Sequence, residues 1–347
     1  MSAGEKATRT QLWLESLGEW SWPGTGGVAV EALPPSWVPA FPPRPEPGSG
    51  ALSPPSASTR GERARRLAIG VLLSALVAVC VGLALHGQLG LHRVVALVTG
   101  RGAAQPLAAS VSGVSPTQSL PTLTPVSQDA AGSSIDSASY HSTAIHGSGS
   151  FLVYLPPGYA SSASHYPVLY LLSGNDQSDS AFLQVGLQGE LDRLIASHTI
   201  APMIAVMIQG GPGSNNWRNN GGLRYEGYVL EVQQLVDRML PSIPARYARA
   251  IAGDSMGGYG AMNVALANPY RFGVVESWLS FFNGLEGDLH ADRPIITRLG
   301  LHAFIYGGEE DHIANPDEDA PFAAALQGAG ADARSAVYPG EHNLETI

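Results

Sequence analysis

At 347 residues the chain is long enough for two domains, or for one large domain with appendages. With 44% hydrophobic residues it is too apolar to be wholly disordered, and a single cysteine, Cys80, excludes an intrachain disulfide framework and a multi-cysteine metal site. The formal charge of -10 argues against nucleic acid as a partner, and it is unevenly held: residues 1–104 carry nine Lys/Arg against six Asp/Glu, residues 105–347 ten against twenty-three.

Residues 1–66 are expected to form a cytoplasmic tail. Within it, residues 23–60 are rich in Pro, Ser and Gly without apolar periodicity, which is the composition of a disordered tether. Ahead of that tether, Leu12, Trp13, Leu14, Leu17 and Trp20 have the spacing to line one side of a short helix at a membrane surface or a partner, beside the plainer reading of an unstructured tail.

From Leu67 to Leu85 the sequence LAIGVLLSALVAVCVGLAL has no charge. At about 1.5 Å rise per residue it reaches roughly 28 Å, the thickness of a bilayer core. A helix buried in a soluble core seldom lacks a polar stripe over such a length. Arg60, Arg63, Arg65 and Arg66 crowd its N-terminal side, against Arg93 and Arg101 beyond it. The positive-inside rule then makes residues 67–86 a transmembrane signal anchor in the cytoplasmic membrane, with everything after it outside. Residues 87–135 follow as an extracytoplasmic Ser/Thr/Pro/Ala-rich stalk.

Beyond residue 135 the texture changes. Short β-rich runs (Phe151–Leu155, Pro167–Leu172, Met203–Ile208, Arg249–Ala252, Val274–Ser280, His302–Tyr306, Arg334–Tyr338) alternate with helical stretches (Ala181–Ser197, Tyr228–Arg246, Met256–Ala267, Pro321–Gly328). That alternation predicts an α/β domain over 136–347, with a mostly parallel sheet and helices on both faces.

Gly253-Asp254-Ser255-Met256-Gly257-Gly258 lies between an apolar strand and a helical segment. In that setting Gly-x-Ser-x-Gly is a nucleophile elbow: Ser255 takes a strained turn, and Gly253 and Gly257 leave room for the adjoining strand and helix. A serine hydroxyl at its ordinary pKa needs a base, and the base needs an orienting carboxylate. His342, in the loop after the last strand, is the candidate base. Asp311 is the candidate acid, with Glu309 and Glu310 as rivals that spacing alone does not separate, and His312 is read as a neighbour of the acid. The oxyanion of an acyl-transfer reaction needs two donors, assigned to the backbone N–H of Met256 at the new helix N-terminus and that of Asn175 in Ser173-Gly174-Asn175.

The segments FLVYLPPGY, YPVLYLLSGNDQ, YARAIAGDSMGGYGAMNVALANPYRF, IYGGEEDH and YPGEHN resemble the putative-esterase branch of the α/β-hydrolases. That branch includes esterase D (S-formylglutathione hydrolase), ferric-enterobactin esterase, feruloyl esterases and the secreted mycolyltransferases. The resemblance covers about residues 140–347 and implies an α/β-hydrolase fold, Ser255, Asp311 and His342 as triad, Met256 and Asn175 as oxyanion donors, and no cofactor or metal. Two departures stand out. Ser173-Gly174 replaces the frequent His-Gly, and the chain stops at Ile347 where the family usually continues with a helix, so that either the natural protein ends early or the sequence is a fragment.

Substrate contacts are sought in residues 210–228, where Asn215, Asn216, Trp217, Arg218 and Asn219 suit a sugar-like or aryl group, unless this is only a polar surface loop; Phe281–Ala291 is the other candidate rim. The expected function is a membrane-anchored serine esterase acting on small-molecule, glycan or lipid esters through an acyl-enzyme. Acyl transfer to a sugar or other hydroxyl acceptor is the alternative, and a non-catalytic envelope-binding module on the same fold the second.

Overall fold

The computed structural model describes residues 119–344 and Thr346. The expected tail, the span at 67–86 and most of the stalk lie outside the described residues. No helix among the described residues is long and apolar enough to cross a membrane.

A nine-stranded sheet is the frame. Strands β1 (Thr124–Gln128), β2 (Ser134–Ser142) and β3 (Gly147–Leu155) run antiparallel along one side, followed by β4 (Val168–Leu172) and β5 (Ile204–Ile208). A short hairpin, β6 (Asn219–Asn220) and β7 (Leu223–Arg224), stands apart from the sheet. Strands β8 (Arg249–Asp254), β9 (Val274–Trp278), β10 (His302–Gly308) and β11 (Asp332–Tyr338) complete the order β1-β2-β3-β5-β4-β8-β9-β10-β11. From β5 to β11 every pairing is parallel.

The central strands carry near-continuous apolar runs because both faces are covered. All five residues of β4 and of β5 are buried. Leu169 and Leu171 share a cluster with Ala205, Met207, Ala250 and Ala252 and with Leu187, Leu191 and Leu194 of helix α2 (Leu187–Ala196), which follows the short α1 (Ala181–Gln184). The alternate residues Tyr170, Val206 and Ile251 point to the opposite face and are just as buried. That face holds α4 (Met256–Ala267), whose Gly258 lies against Ser277 of β9. Helices α3 (Tyr225–Met239), α5 (Glu286–Leu299) and α6 (Asp319–Gly328) fill the remaining crossovers.

The pairing register fixes where the loops emerge. Leu172 pairs with Gly253, Gly253 with Ser277, Ser277 with Ile305 and Ile305 with Ser335, so the C-terminal ends of these strands share one edge of the sheet. Loops after β4, β8, β9, β10 and β11 therefore meet there, which is where open α/β sheets place their ligands.

Several expectations are corrected. The sheet begins at Thr124, ahead of the expected domain start at 136, so the last part of the expected stalk is sheet. The helix expected over Ala181–Ser197 is two, broken at Gly186, whose φ of 96° is left-handed. The helix expected to run from Tyr228 to Arg246 spans Tyr225–Met239 and stops before Pro241, which has no N–H to continue it. Glu286–Leu299, within and beyond the expected rim, is a helix that accommodates Pro294.

Candidate active site

Ser255 is the whole turn between β8 and α4. Its backbone lies at φ 51°, ψ -119°, a conformation a residue with a Cβ keeps only where its surroundings hold it. Two bonds from the neighbouring strand end do so: Ser255 N–H donates to the Trp278 carbonyl at 2.8 Å, and Ser280 Oγ donates to the Ser255 carbonyl at 2.8 Å. The flanking glycines are required by contact. A Cβ on Gly257 would lie 1.9 Å from the Leu172 carbonyl oxygen, and one on Gly253 would lie 2.5 Å from both Gly257 and that same oxygen. Helix and strand thus approach backbone to backbone, and the serine side chain is left at the sheet edge.

His342 reaches it from the loop after β11. Ser255 Oγ lies 2.8 Å from His342 Nε2, and His342 Nδ1 lies 2.7 Å from Asp311 Oδ2. A carboxylate only accepts, so Nδ1 carries the proton toward Asp311 and Nε2 is left with its lone pair toward the hydroxyl. Asp311 is 5% exposed, and its other oxygen accepts from the amides of Ile313 at 2.8 Å and Ala314 at 2.9 Å. The rivals take other parts: Glu309 and Glu310 are exposed, and the Glu310 carboxylate accepts from the Gly340 amide. His312 is exposed beside the acid.

The β10 and β11 loops are zipped together. Glu309 N–H donates to the Tyr338 carbonyl at 2.7 Å and Glu310 N–H to that of Gly340 at 3.0 Å. Thr346 Oγ1 donates to the Glu341 carbonyl at 2.7 Å and Thr346 N–H to that of Asn343 at 3.0 Å, folding the His342 turn on itself.

Met256 N–H is the first amide of α4, among the helix-end donors that have no acceptor within the helix. The Ser173-Gly174-Asn175 loop leaves β4 alongside it. Gly174 N–H is bound to Asp254 Oδ1 at 3.1 Å and Gln177 Oε1 at 3.1 Å, leaving Asn175 with the next amide along an exposed turn.

The substrate loop is corrected. Trp217 is wholly buried: its Nε1–H donates to the Ser173 carbonyl at 3.2 Å and its ring lies against Gly210 and Gly260. Asn216 and Trp217 have φ of 52° and 50°, a left-handed pair that turns the indole inward, and Asn215 Oδ1 accepts from Trp217 N–H at 2.8 Å. Arg218 stacks over the Tyr259 ring at 5.4 Å and its Nε donates to Asn263 Oδ1 at 3.2 Å, both on α4. Asn219 binds Glu226 and the Gly227 amide. The loop is therefore mostly a buttress behind the elbow. In the other expected rim, Phe282 is buried against Phe322, while Phe281 is partly exposed and stacks on Tyr259 at 4.9 Å between ring centres.

Sequence reasoning did not single out Asp254 and Gln177, which join the loop after β4 to the elbow, or Asp319, a buried carboxyl at the start of α6. Asp254 occupies the variable position of the motif, where only the fold tells what a residue touches.

Residues 142–286 match the family model described as putative esterase. An endo-1,4-beta-xylanase/feruloyl esterase of Xylanibacter ruminicola is 28% identical over 201 residues, covering 54% of this chain and 26% of that protein. An esterase of Mycobacterium tuberculosis is 34% identical over 122 residues, covering 33% of this chain and 25% of its own. The chain thus spans about a quarter of the length of these two curated relatives. The solved structure of a ferulic acid esterase superposes with a TM-score of 0.56 at 25% identity, covering 62% of this chain and 93% of that one. With its elbow and its mostly parallel sheet, the chain has an α/β-hydrolase-like fold, and its residues 142–286 are similar to the putative-esterase family.

Proposed function

We propose that the protein is a serine esterase working through Ser255, His342 and Asp311. The observation that carries this reading is the unbroken line from Ser255 Oγ through both ring nitrogens of His342 to Asp311. Ser255 Oγ attacks the ester carbonyl carbon and its proton passes to His342 Nε2, while Asp311 holds the ring in place and offsets the imidazolium charge. The carbonyl oxygen becomes an oxyanion between the amides of Met256 and Asn175. As the C–O bond breaks, His342 returns the proton to the departing alcohol, leaving an acyl-enzyme. Water then attacks this ester, again giving its proton to His342, and collapse restores Ser255 with release of the acid.

Carboxylic esters are the substrate class, and the feruloyl and ferulic acid esterases among the relatives make hydroxycinnamoyl esters the first to try. In the full protein the apolar segment 67–85 anchors the chain in the cytoplasmic membrane. The basic flank before it keeps the N-terminus inside and the catalytic domain outside. Protease added to intact cells should digest the catalytic domain; protection of it would reverse that topology.

The kinetic test uses the full chain with p-nitrophenyl and feruloyl esters. His342→Ala is expected to lower turnover by at least about 10³-fold while leaving the protein folded. Retained turnover would contradict the assignment, and formation of a sugar ester when a sugar acceptor is present would turn the reading toward acyl transfer.

A further inference from the structure

The residue before the nucleophile is a carboxylate where the motif allows any side chain, and it is buried. Asp254 is 3% exposed, and its two oxygens are spent on one loop: Oδ1 accepts from Gly174 N–H at 3.1 Å and Oδ2 from Gln177 Nε2 at 2.9 Å. Gln177 closes the triangle, its Oε1 accepting from the same Gly174 amide at 3.1 Å. Space enforces the arrangement as well. A Cβ on Gly174 would stand 2.8 Å from Asp254 Oδ2 and 3.0 Å from the Gln177 amide nitrogen. The bonds cross from the elbow to the turn after β4, which supplies the Asn175 amide.

We propose that Asp254 is a positioning residue for ester hydrolysis: its carboxylate fastens Gly174 to the nucleophile turn and so fixes the Asn175 N–H at the distance from Ser255 that the oxyanion requires. The inference rests on the esterase reading above and adds to it a chain-specific clamp. Its logic is geometric. One oxyanion donor, Met256, is rigidly joined to Ser255 by sequence, whereas the other arrives on a separate loop and needs a tie. Donors that are already in place cost no reorganisation when charge develops.

The clamp also depends on protonation. Burial pushes the Asp254 carboxyl up to about 6, against hydrogen bonds from Gln177 and Gly174 and the charge of His342, which lower it. The groups that face it are Gly174 and the Gln177 amide from the β4 loop, and His342 from the loop after β11; among them His342 is the titratable one. Below that pH the charge is lost and the carboxyl oxygens become weaker acceptors for Gly174 N–H and Gln177 Nε2–H, so the triangle is weakened.

The test compares wild type, Asp254→Leu and Asp254→Asn in the full chain, with active sites counted by fluorophosphonate titration and p-nitrophenyl acetate as substrate. Per labelled site, Asp254→Leu is expected to lower kcat by about 10²-fold with KM little changed, the loss typical of one misplaced oxyanion donor. An aryl trifluoromethyl ketone, which forms the tetrahedral adduct, should bind Asp254→Leu more weakly by a similar factor. A kcat within about 3-fold of wild type would overturn the clamp. The ratio of wild-type to Asp254→Asn kcat should fall toward one between pH 7 and pH 5, as protonation makes the wild-type carboxyl neutral like the asparagine amide. This ratio decides the matter should the leucine variant not fold, and a pH-independent ratio would overturn the proposal. Wild type that takes up no fluorophosphonate would defeat the esterase reading itself, a failure distinct from labelled variants with unchanged kcat.

Discussion

The elbow at the end of β8 and the loop of residues 210–228 lie at the same edge of the sheet, both rich in glycine and polar side chains, yet they relate to their sequences differently. In the elbow each glycine answers to a backbone contact: Gly253 and Gly257 stand where any Cβ would strike Leu172 or the facing glycine. The motif therefore states its own geometry. In the second loop the polar, aromatic and cationic residues suggested contact with substrate, but Trp217 is buried, Arg218 lies on Tyr259, and Asn215 holds the Trp217 amide. Residue type there reports support rather than recognition. Steric necessity is readable from sequence, whereas the direction in which a loop side chain points depends on backbone turns such as the left-handed pair at Asn216 and Trp217.

The sharpest way to break this contrast is Gly257→Ala. With 1.9 Å to the Leu172 carbonyl and backbone on the other side, nothing flexible can give way, and the variant is expected to lose more than ~3 kcal/mol or fail to fold, read by thermal melting and soluble yield. A melting temperature near wild type would mean that helix and strand approach less closely than described.

Next is Trp217→Ala. A buttress predicts a loss of stability of about 3–5 kcal/mol, with KM for aryl esters unchanged at temperatures where the variant is folded. A substrate-contact residue predicts the reverse, a raised KM with stability retained, and that result would return the loop to the role its composition suggests.

The smallest effect lies beside Asp311. Asp319 is 1% exposed, neither carboxyl oxygen has a hydrogen-bond partner, and burial, then the charges of Asp311 and Glu318, push it up to about 7. Its folded value is above its unfolded one, so the stability it contributes is full below about pH 4 and is lost as pH rises through 7. Asp319→Asn removes that loss. The melting temperature of the variant relative to wild type should therefore rise by a few degrees from pH 5 to pH 8; a constant difference would show that Asp319 is already solvated or paired.

Much of this architecture was legible before the structure. Each of the seven β-rich runs overlaps a strand of the sheet, and the central ones stand out because buried parallel strands are almost wholly apolar, as β4 and β5 show. Strands β1 and β2 escaped notice because SIDSASYHS and TPVSQ bury little; all five residues of β1 are exposed. Helix α5 was hidden by charge and by Pro294, since EGDLHADRPIITRL has a weak apolar stripe and an internal breaker. Within the site, three adjacent acids are equivalent along the chain. They become unequal only when β10 ends, sending Asp311 inward beneath His342 while Glu309 and Glu310 stay outside to bind the β11 loop. The tie from Asp254 to Gly174 joins positions far apart in sequence, and no spacing rule foretells it.

The most direct test of the account is the site of covalent modification by a fluorophosphonate, which reports on a serine only when a base activates it and an oxyanion hole receives the product. Reaction of the folded full chain followed by peptide mass mapping should place a single adduct on Ser255, absent in Ser255→Ala and strongly slowed in His342→Ala. Folded wild-type protein with no adduct, or with the adduct on a serine other than Ser255, would contradict it.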